Sequence, residues 1–137
     1  MTTITLETDE ECRVIAPNFG DGRLLSFSHD GREITLHFKA GGGETYRFTL
    51  HRVERLYYQT LTSNGLLENL YVGAIDQVFT ANEPLSLRLA EILSPSSDQH
   101  IGEAKGLVLY ASPLIDCECA VHFASLTIEA LPPESQE

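Results

Sequence analysis

The stretch that decides the fold reads EITLHFK at residues 33–39 and TYRFTL at residues 45–50, with a glycine loop between them. Apolar side chains occupy every second position in both segments, which is the period of a strand with one buried face. The apolar segment at residues 24–28 is followed by Asp30-Gly31, a dipeptide typical of tight hairpin turns. Residues 23–50 are therefore predicted to form a three-stranded antiparallel meander.

The segments that follow the meander are less clear. Residues 53–61 are rich in β-forming types and are expected to continue the same sheet. Residues 63–79 fit either secondary structure, because their apolar residues follow a helical stripe while Asn64-Gly65 and Gly73 favour a hairpin. We favour a strand that pairs back on residues 53–61.

One helix is predicted in the second half of the chain. Asn82 and Pro84 are typical of the first positions of a helix, where an Asn side chain caps the backbone and the missing N–H of proline costs little. The helix is expected over residues 84–93, although alternating leucines leave a strand open there. The remaining segments are predicted to be a loop at 94–105 and two strands at 106–111 and 121–129.

These elements predict a mostly β protein, of the α+β type with about one short helix. Frequent turns between short strands favour an antiparallel β-sandwich or a partly closed β-barrel. A chain of 137 residues fits a single domain with its own core. We expect one β-rich domain over residues 1–131 and a flexible acidic tail over residues 132–137.

The charges exclude several classes of function. The net charge is −11; residues 1–60 hold nine acids and seven Lys or Arg, whereas residues 61–137 hold eleven acids and only Arg88 and Lys105. Because nucleic-acid affinity comes mostly from cations that neutralise phosphates, we expect no nucleic-acid partner. An acidic chain without a long apolar run is also expected to bind no membrane.

The N-terminal residues and the cysteines bear on the compartment. Residues 1–7 lack the basic and apolar regions of a signal peptide. Three cysteines are too few for the disulfide framework of a small secreted protein. The expected location is therefore cytoplasmic.

The cluster of Cys117, Cys119 and His122, with Cys12 elsewhere, is the only sequence feature that suggests a metal. On a strand, however, Cys117 and Cys119 share a face and His122 points to the other. The cysteines also lack the usual spacing of zinc ligands and the helix start that activates redox thiols. We predict no metal and no cofactor.

No sequence pattern of a known catalytic site occurs. The serine-hydrolase pattern Gly-x-Ser-x-Gly and the zinc-protease pattern His-Glu-x-x-His are both missing. The glycines at residues 41–43 are followed by Glu44 rather than by the Lys-Ser/Thr pair of a phosphate-binding loop, so they are interpreted as a hairpin loop. We expect no enzyme activity and no catalytic residue.

Acidic residues are therefore the candidate binding residues. The four that we select from the second half are Glu68, Asp76, Asp116 and Glu118. They predict a protein-interaction module that binds a basic protein, as an inhibitor or immunity protein would, because opposite charges speed encounter. A homodimer is a second expectation, in which a basic patch around Arg47, Arg52 and Arg55 meets the acidic half of a second copy.

The alternative is a small-ligand-binding β-barrel, or an enzyme whose site is not visible in the sequence. Its cavity would be lined by five aromatic side chains: Phe27, Phe38, Tyr46, Phe48 and Phe123. The simpler interpretation of the same residues is a hydrophobic core.

Overall fold

A computed structural model describes residues 2–58, 67–93, 101, 104–113 and 118–132. Two helices, α1 (Ile75–Ala81) and α2 (Glu83–Leu93), lie between the eighth and ninth strands. The strands in chain order are β1 (Thr2–Thr3), β2 (Glu7–Thr8), β3 (Val14–Ala16), β4 (Arg23–Asp30), β5 (Glu33–Lys39), β6 (Thr45–His51), β7 (Arg55–Tyr58), β8 (Leu67–Ala74), β9 (Leu107–Pro113), β10 (Cys119–Phe123) and β11 (Ser125–Ala130).

The described strands form an antiparallel β-sandwich, which confirms the predicted mostly β fold. One sheet has five strands in the order β1-β11-β6-β5-β4, the other has four in the order β7-β10-β9-β8, and β2 and β3 form a separate pair. Apolar side chains of both large sheets share one buried cluster. Neither sheet closes on itself within the described residues, so the sandwich is the correct member of the two predicted architectures.

The predicted meander is present as β4, β5 and β6. Leu36 lies between Phe27 of β4 and Phe48 of β6 in the register. Ile34, Leu36 and Phe38 are each 0% exposed, as the alternation predicts. Burial of each such side chain stabilises the fold by roughly 1.5–3 kcal/mol.

The aromatic residues considered as a cavity lining are packed in this core. Phe38, Phe48 and Phe123 are fully buried. The ring of Phe19 makes edge-to-face contacts with Phe38, Tyr46 and Phe48 at centroid distances of 5.7 Å. Such contacts are those of a close-packed interior.

Two predictions on strand pairing are wrong. Residues 55–58 do not continue the meander but form β7 of the second sheet, beside β10. The chain leaves the first sheet at Arg52, which has a left-handed φ of 55°. The segment at residues 63–79 contains both alternatives, since strand β8 is followed directly by helix α1, and β8 pairs with β9 rather than with residues 53–61. Asn64-Gly65 lies outside the described residues.

The predicted helix is confirmed as α2, and α1 is a second helix beyond the one expected. The side-chain oxygen of Asn82 accepts a hydrogen bond from the Leu85 N–H at 3.2 Å, which caps α2. Buried Leu85, Leu89 and Leu93 join a second apolar cluster on the outer face of the four-stranded sheet. The described helices include none that is long and apolar enough to cross a bilayer.

The last predicted elements are described in part. The expected strand over residues 121–129 is two strands, with a bend at Ala124 between β10 and β11. Of the predicted loop at residues 94–105, buried Ile101 and residues 104–105 are described. Residues 133–137 lie outside the described residues, so the tail stays a prediction.

Candidate functional site

The helices cover the outer face of the four-stranded sheet only in part and leave a small pocket of about 180 Å³ with both polar and apolar lining residues. Tyr71 of β8 and Tyr110 of β9 face each other across the strands there, with ring centroids 6.3 Å apart. We call this the tyrosine pocket; its lining residues are Tyr71, Asn82, Pro84, Leu85, Arg88, Tyr110 and Ser112.

A partly buried ion pair, with its carboxylate in the interior, forms one wall of the tyrosine pocket. Glu118 is only 5% exposed. Arg88 of α2 donates two hydrogen bonds to its carboxylate, from Nε to Oε2 at 2.8 Å and from Nη2 to Oε1, and the Tyr110 hydroxyl donates a third. Arg88 also pairs with exposed Glu91 one helical turn further on. The guanidinium charge is therefore neutralised by carboxylates of this chain.

The ion pair changes the ionisation of its members. Hydrogen bonds from Arg88 hold the pKa of Glu118 below its ordinary value of 4.5, against the opposing effect of burial. Burial, followed by the hydrogen bond to Glu118, raises the pKa of the Tyr110 hydroxyl. At neutral pH Glu118 is thus a carboxylate and Tyr110 a neutral donor.

Acidic side chains from three segments lie at the edge of the same sheet. The turn between β2 and β3 is held against this edge by a β-bridge from Arg13 to Tyr71. It is also held to the start of α2 by a bond from the Asn82 side-chain amide to the Glu11 carbonyl at 3.1 Å. On β8, the Glu68 carboxylate accepts a hydrogen bond from Ser112 at 3.1 Å. We call the exposed acids of these segments the acidic edge, which comprises Glu10, Glu11, Glu68 and Glu83.

Tyr71 lies near acids of two of these segments. Burial raises the pKa of its hydroxyl most, Arg13 lowers it, and the charges of Glu68, Glu11 and Asp9 raise it further. Three carboxylates from the β2–β3 turn and β8 thus act on one side chain. Their arrangement is a negative surface next to an aromatic pocket.

The four predicted binding residues have different surroundings. Glu68 belongs to the acidic edge, and Glu118 lies in the pocket wall. Asp76 is exposed in the first turn of α1, which begins where β8 ends. At a rise of about 3.3 Å per residue, the length of β8 places it about 20 Å from Glu68. Asp116 lies outside the described residues, and its predicted role stays a prediction.

Sequence reasoning missed the residues that hold this site together. In the sequence, Arg88 was noted only as one of two cations in the second half of the chain. Tyr71 and Tyr110 were counted only as apolar positions of predicted strands. The one available signal was that a lone arginine on a helix, among many acids, needs a carboxylate partner. The chain does not show that this partner is Glu118, thirty residues away.

The described cysteine and histidine side chains show no ligand arrangement. Cys12 and Cys119 are free and buried, and burial, with a smaller effect of Asp9, raises the pKa of the Cys12 thiol. His122 is also buried, with Nε2 2.8 Å from the Lys105 carbonyl oxygen. No three potential metal ligands converge within the described part of the chain, which does not include Cys117.

Several ion pairs lie within and beside the predicted basic patch. Arg47 pairs with Glu129 at 2.7 Å, His51 Nδ1 lies 2.7 Å from Glu33, and Arg32 pairs with Glu54. Arg55 donates a hydrogen bond to the Leu93 carbonyl. Internal pairing was the simpler interpretation of this patch, and self-association stays a prediction.

Two larger pockets lie away from the tyrosine pocket. One, of about 450 Å³, is lined by threonine and aliphatic side chains of the N-terminal segment, β8 and β11. The other, of about 430 Å³, lies beside the glycine loop that follows β5. Comparisons of the chain with protein-family models, with curated proteins and with solved structures found no match.

Proposed function

We propose that the protein is a non-catalytic interaction module that binds a basic protein through the acidic edge. The observation that carries this proposal is that the β2–β3 turn, β8 and the start of α2, each of which has an exposed acid, meet at one edge of the sheet. None of the four acids of the acidic edge forms an ion pair with another described residue. Their charge is therefore available to a partner.

Charge and shape of the site both suit a cationic partner. Unpaired carboxylates on one surface attract a basic protein over a distance and speed its encounter. Beside them, the partly exposed ring of Tyr71 offers a surface against which a Lys or Arg side chain can pack through a cation–π contact. An inhibitor or immunity protein that neutralises a basic target would need these properties.

The four acids selected from the sequence contribute differently to this proposal. Glu68 is part of the docking surface itself. Glu118 supports it indirectly, because its bond to Tyr110 fixes one wall of the tyrosine pocket. Asp76 lies about 20 Å from Glu68 along the sheet, outside the acidic edge, and its binding role stays a prediction.

The proposal is tested with two double variants of equal net charge. Glu11→Gln/Glu68→Gln removes two charges of the acidic edge, and Asp30→Asn/Glu44→Gln removes two exposed charges elsewhere. The tagged chain is used to capture partners from its native lysate. The affinity of a purified basic partner is then measured by calorimetry at about 0.05 M and about 0.5 M salt, where screening differs strongly.

We expect the acidic-edge variant to lose affinity by roughly 1.5-fold to fivefold per carboxylate, as single exposed ion pairs do. The control variant should change it by less than that, and binding to the unaltered chain should weaken as salt rises. Equal losses in both variants, or binding that does not respond to salt, would refute the acidic edge as the docking surface.

A further inference from the structure

The pocket beside the glycine loop lies where β4 begins and β5 ends. Its walls are mostly backbone, from Gly22 and residues 40–43, with the side chains of Asp21, Arg23 and Lys39. A Cβ on Gly22 would lie 2.2 Å from the Lys39 carbonyl oxygen, and one on Gly41 would lie 2.6 Å from the Gly20 carbonyl oxygen. Only glycine fits at these two positions, so the close approach of the two backbone segments is built into the sequence.

Two cations stand directly opposite each other in this pocket. Arg23 and Lys39 are paired in the β4–β5 register, and both are exposed. Like charges at directly opposite positions of an antiparallel pair destabilise a sheet. Arg13, Arg32, Arg47 and Arg88, in contrast, each have a carboxylate partner.

Nearby acids do not relieve this repulsion. Asp21 lines the pocket, and the Glu44 carboxylate lies 2.6 Å from the Cβ position of Gly42. Neither forms an ion pair with Arg23 or Lys39, since no described carboxylate lies within 4.0 Å of either cation. The pocket therefore contains two cationic groups whose charge the described part of the chain leaves uncompensated at close range.

The glycine loop adds one backbone donor. The N–H groups of Gly41 and Gly43 donate to the carbonyl oxygens of Asn18 and Ala40, each at 3.0 Å. The N–H of Gly42, between them, makes no hydrogen bond within the described residues. Two cationic side chains and a free N–H group are donors that a bound oxyanion needs.

We propose that this pocket binds the phosphate group of a small anionic ligand. A phosphate monoester carries a charge of about −1.5 to −2 at pH 7, so Arg23 and Lys39 attract it more strongly than they attract a singly charged carboxylate. The charges of Asp21 and Glu44 oppose both anions, and the two cations must outweigh them. The loop joins two strands and does not open a helix, so the site differs from the Walker pattern that the sequence lacks. It uses none of the acidic-edge residues and does not depend on the proposed function.

The ligand class is tested by NMR titration of the 15N-labelled full chain. Sodium phosphate, phenyl phosphate and sodium acetate are added separately, with sodium chloride keeping the ionic strength constant. We expect saturable chemical-shift changes of the Gly42 amide with both phosphates. Tighter binding of sodium phosphate would indicate a free phosphate as the natural ligand, and tighter binding of phenyl phosphate would indicate a phosphate ester. Acetate that binds as tightly as either phosphate, or the absence of saturable shifts, would overturn the proposal.

Two double variants of equal net charge locate the site. Arg23→Gln/Lys39→Gln should weaken phosphate binding by about tenfold or more, because it removes two charge-assisted contacts. Arg52→Gln/Lys105→Gln removes two exposed cations elsewhere and should change it by less than about twofold. Equal losses in both variants would show that phosphate responds only to net charge, which would refute the site.

Thermal unfolding separates a ligand site from a structural pair. Without phosphate, Arg23→Gln/Lys39→Gln should unfold at the same temperature as the unaltered chain or higher, because the cross-strand repulsion is gone. Phosphate should raise the unfolding temperature of the unaltered chain but not of this variant. A variant that is less stable without phosphate would show that the two cations serve the fold, and the proposal would be wrong.

Discussion

The buried ion pair between Glu118 and Arg88 gives the sharpest prediction for stability. In Glu118→Gln the side chain keeps its volume, but the carboxylate charge that faces Arg88 and Tyr110 is lost. Breaking a fully buried pair costs about 3–5 kcal/mol. The Glu118 side chain is 6% exposed but that of Arg88 is 38% exposed and keeps Glu91, so we expect a smaller loss of about 2 kcal/mol.

This loss is measurable by two independent methods. With an unfolding entropy of about 2.1 cal/mol/K per residue over 137 residues, 2 kcal/mol lowers Tm by about 7 °C. Urea unfolding at pH 7, followed by circular dichroism, gives the free energy directly. Two variants are matched controls. Glu91→Gln removes only an exposed ion pair and should cost less than about 0.5 kcal/mol. Tyr110→Phe removes one hydrogen bond to Glu118 and should cost about 1 kcal/mol.

The same variant changes how stability depends on pH. The pKa of Glu118 is lowered in the folded chain by its bonds to Arg88, so the unfolded chain binds the proton more readily. The stabilisation is present above the unfolded pKa of about 4.5 and is lost as the pH falls through the folded pKa. Between pH 5 and the acid limit, Glu118→Gln should therefore lose stability less steeply than the unaltered chain.

A double-mutant cycle decides between pairing and mere packing. Arg88→Met should cost more than Glu118→Gln, about 3 kcal/mol, because it leaves a buried carboxylate without its guanidinium partner. The combined variant should lose less than the sum, since neither charge remains. If Glu118→Gln lies within about 0.5 kcal/mol of the unaltered chain, or if the two losses simply add, the ion pair is not what holds α2 to β10.

Two further predictions concern the frame of the tyrosine pocket. Asn82→Ala removes the cap of the Leu85 N–H and the bond to the Glu11 carbonyl. It should lower the free energy of unfolding in urea by about 1–2 kcal/mol. Asn82→Asp keeps the cap and should lose only about half as much, so a loss equal to that of Asn82→Ala would argue against capping. Gly73→Ala places a Cβ 2.8 Å from the Cys12 sulfur and should cost about 1–3 kcal/mol. Because Cys12 has a left-handed φ of 68°, adding Cys12→Gly should return much of that loss, and purely additive losses would contradict the contact.

The parts of the fold that the sequence predicts correctly are those set by local chemistry. Alternating residues at 33–39 and 45–50 can bury one face only as strands, and Asn82 can cap only the helix that begins next to it. The partner of β7 could not be predicted in the same way. A strand period identifies which face is buried but not which other strand lies beside it, and the turn at Arg52 redirects the chain through a conformation that its residue type does not indicate.

The candidate site was harder to predict because formal charge does not show where a charge lies. The acidic second half contributes Glu91 and Glu118 to Arg88, and Glu129 to Arg47 of the first half. A carboxylate that is buried against a guanidinium group acts beyond the surface mainly as a dipole, whereas an exposed, unpaired one attracts a partner over about 8–10 Å at physiological salt. The acids that can select a partner are therefore fewer than the net charge of −11 implies. The four acids of the acidic edge remain available because they are exposed and their three segments meet at one edge of the sheet. For this reason, variants of equal net charge are the decisive comparison for the proposed function.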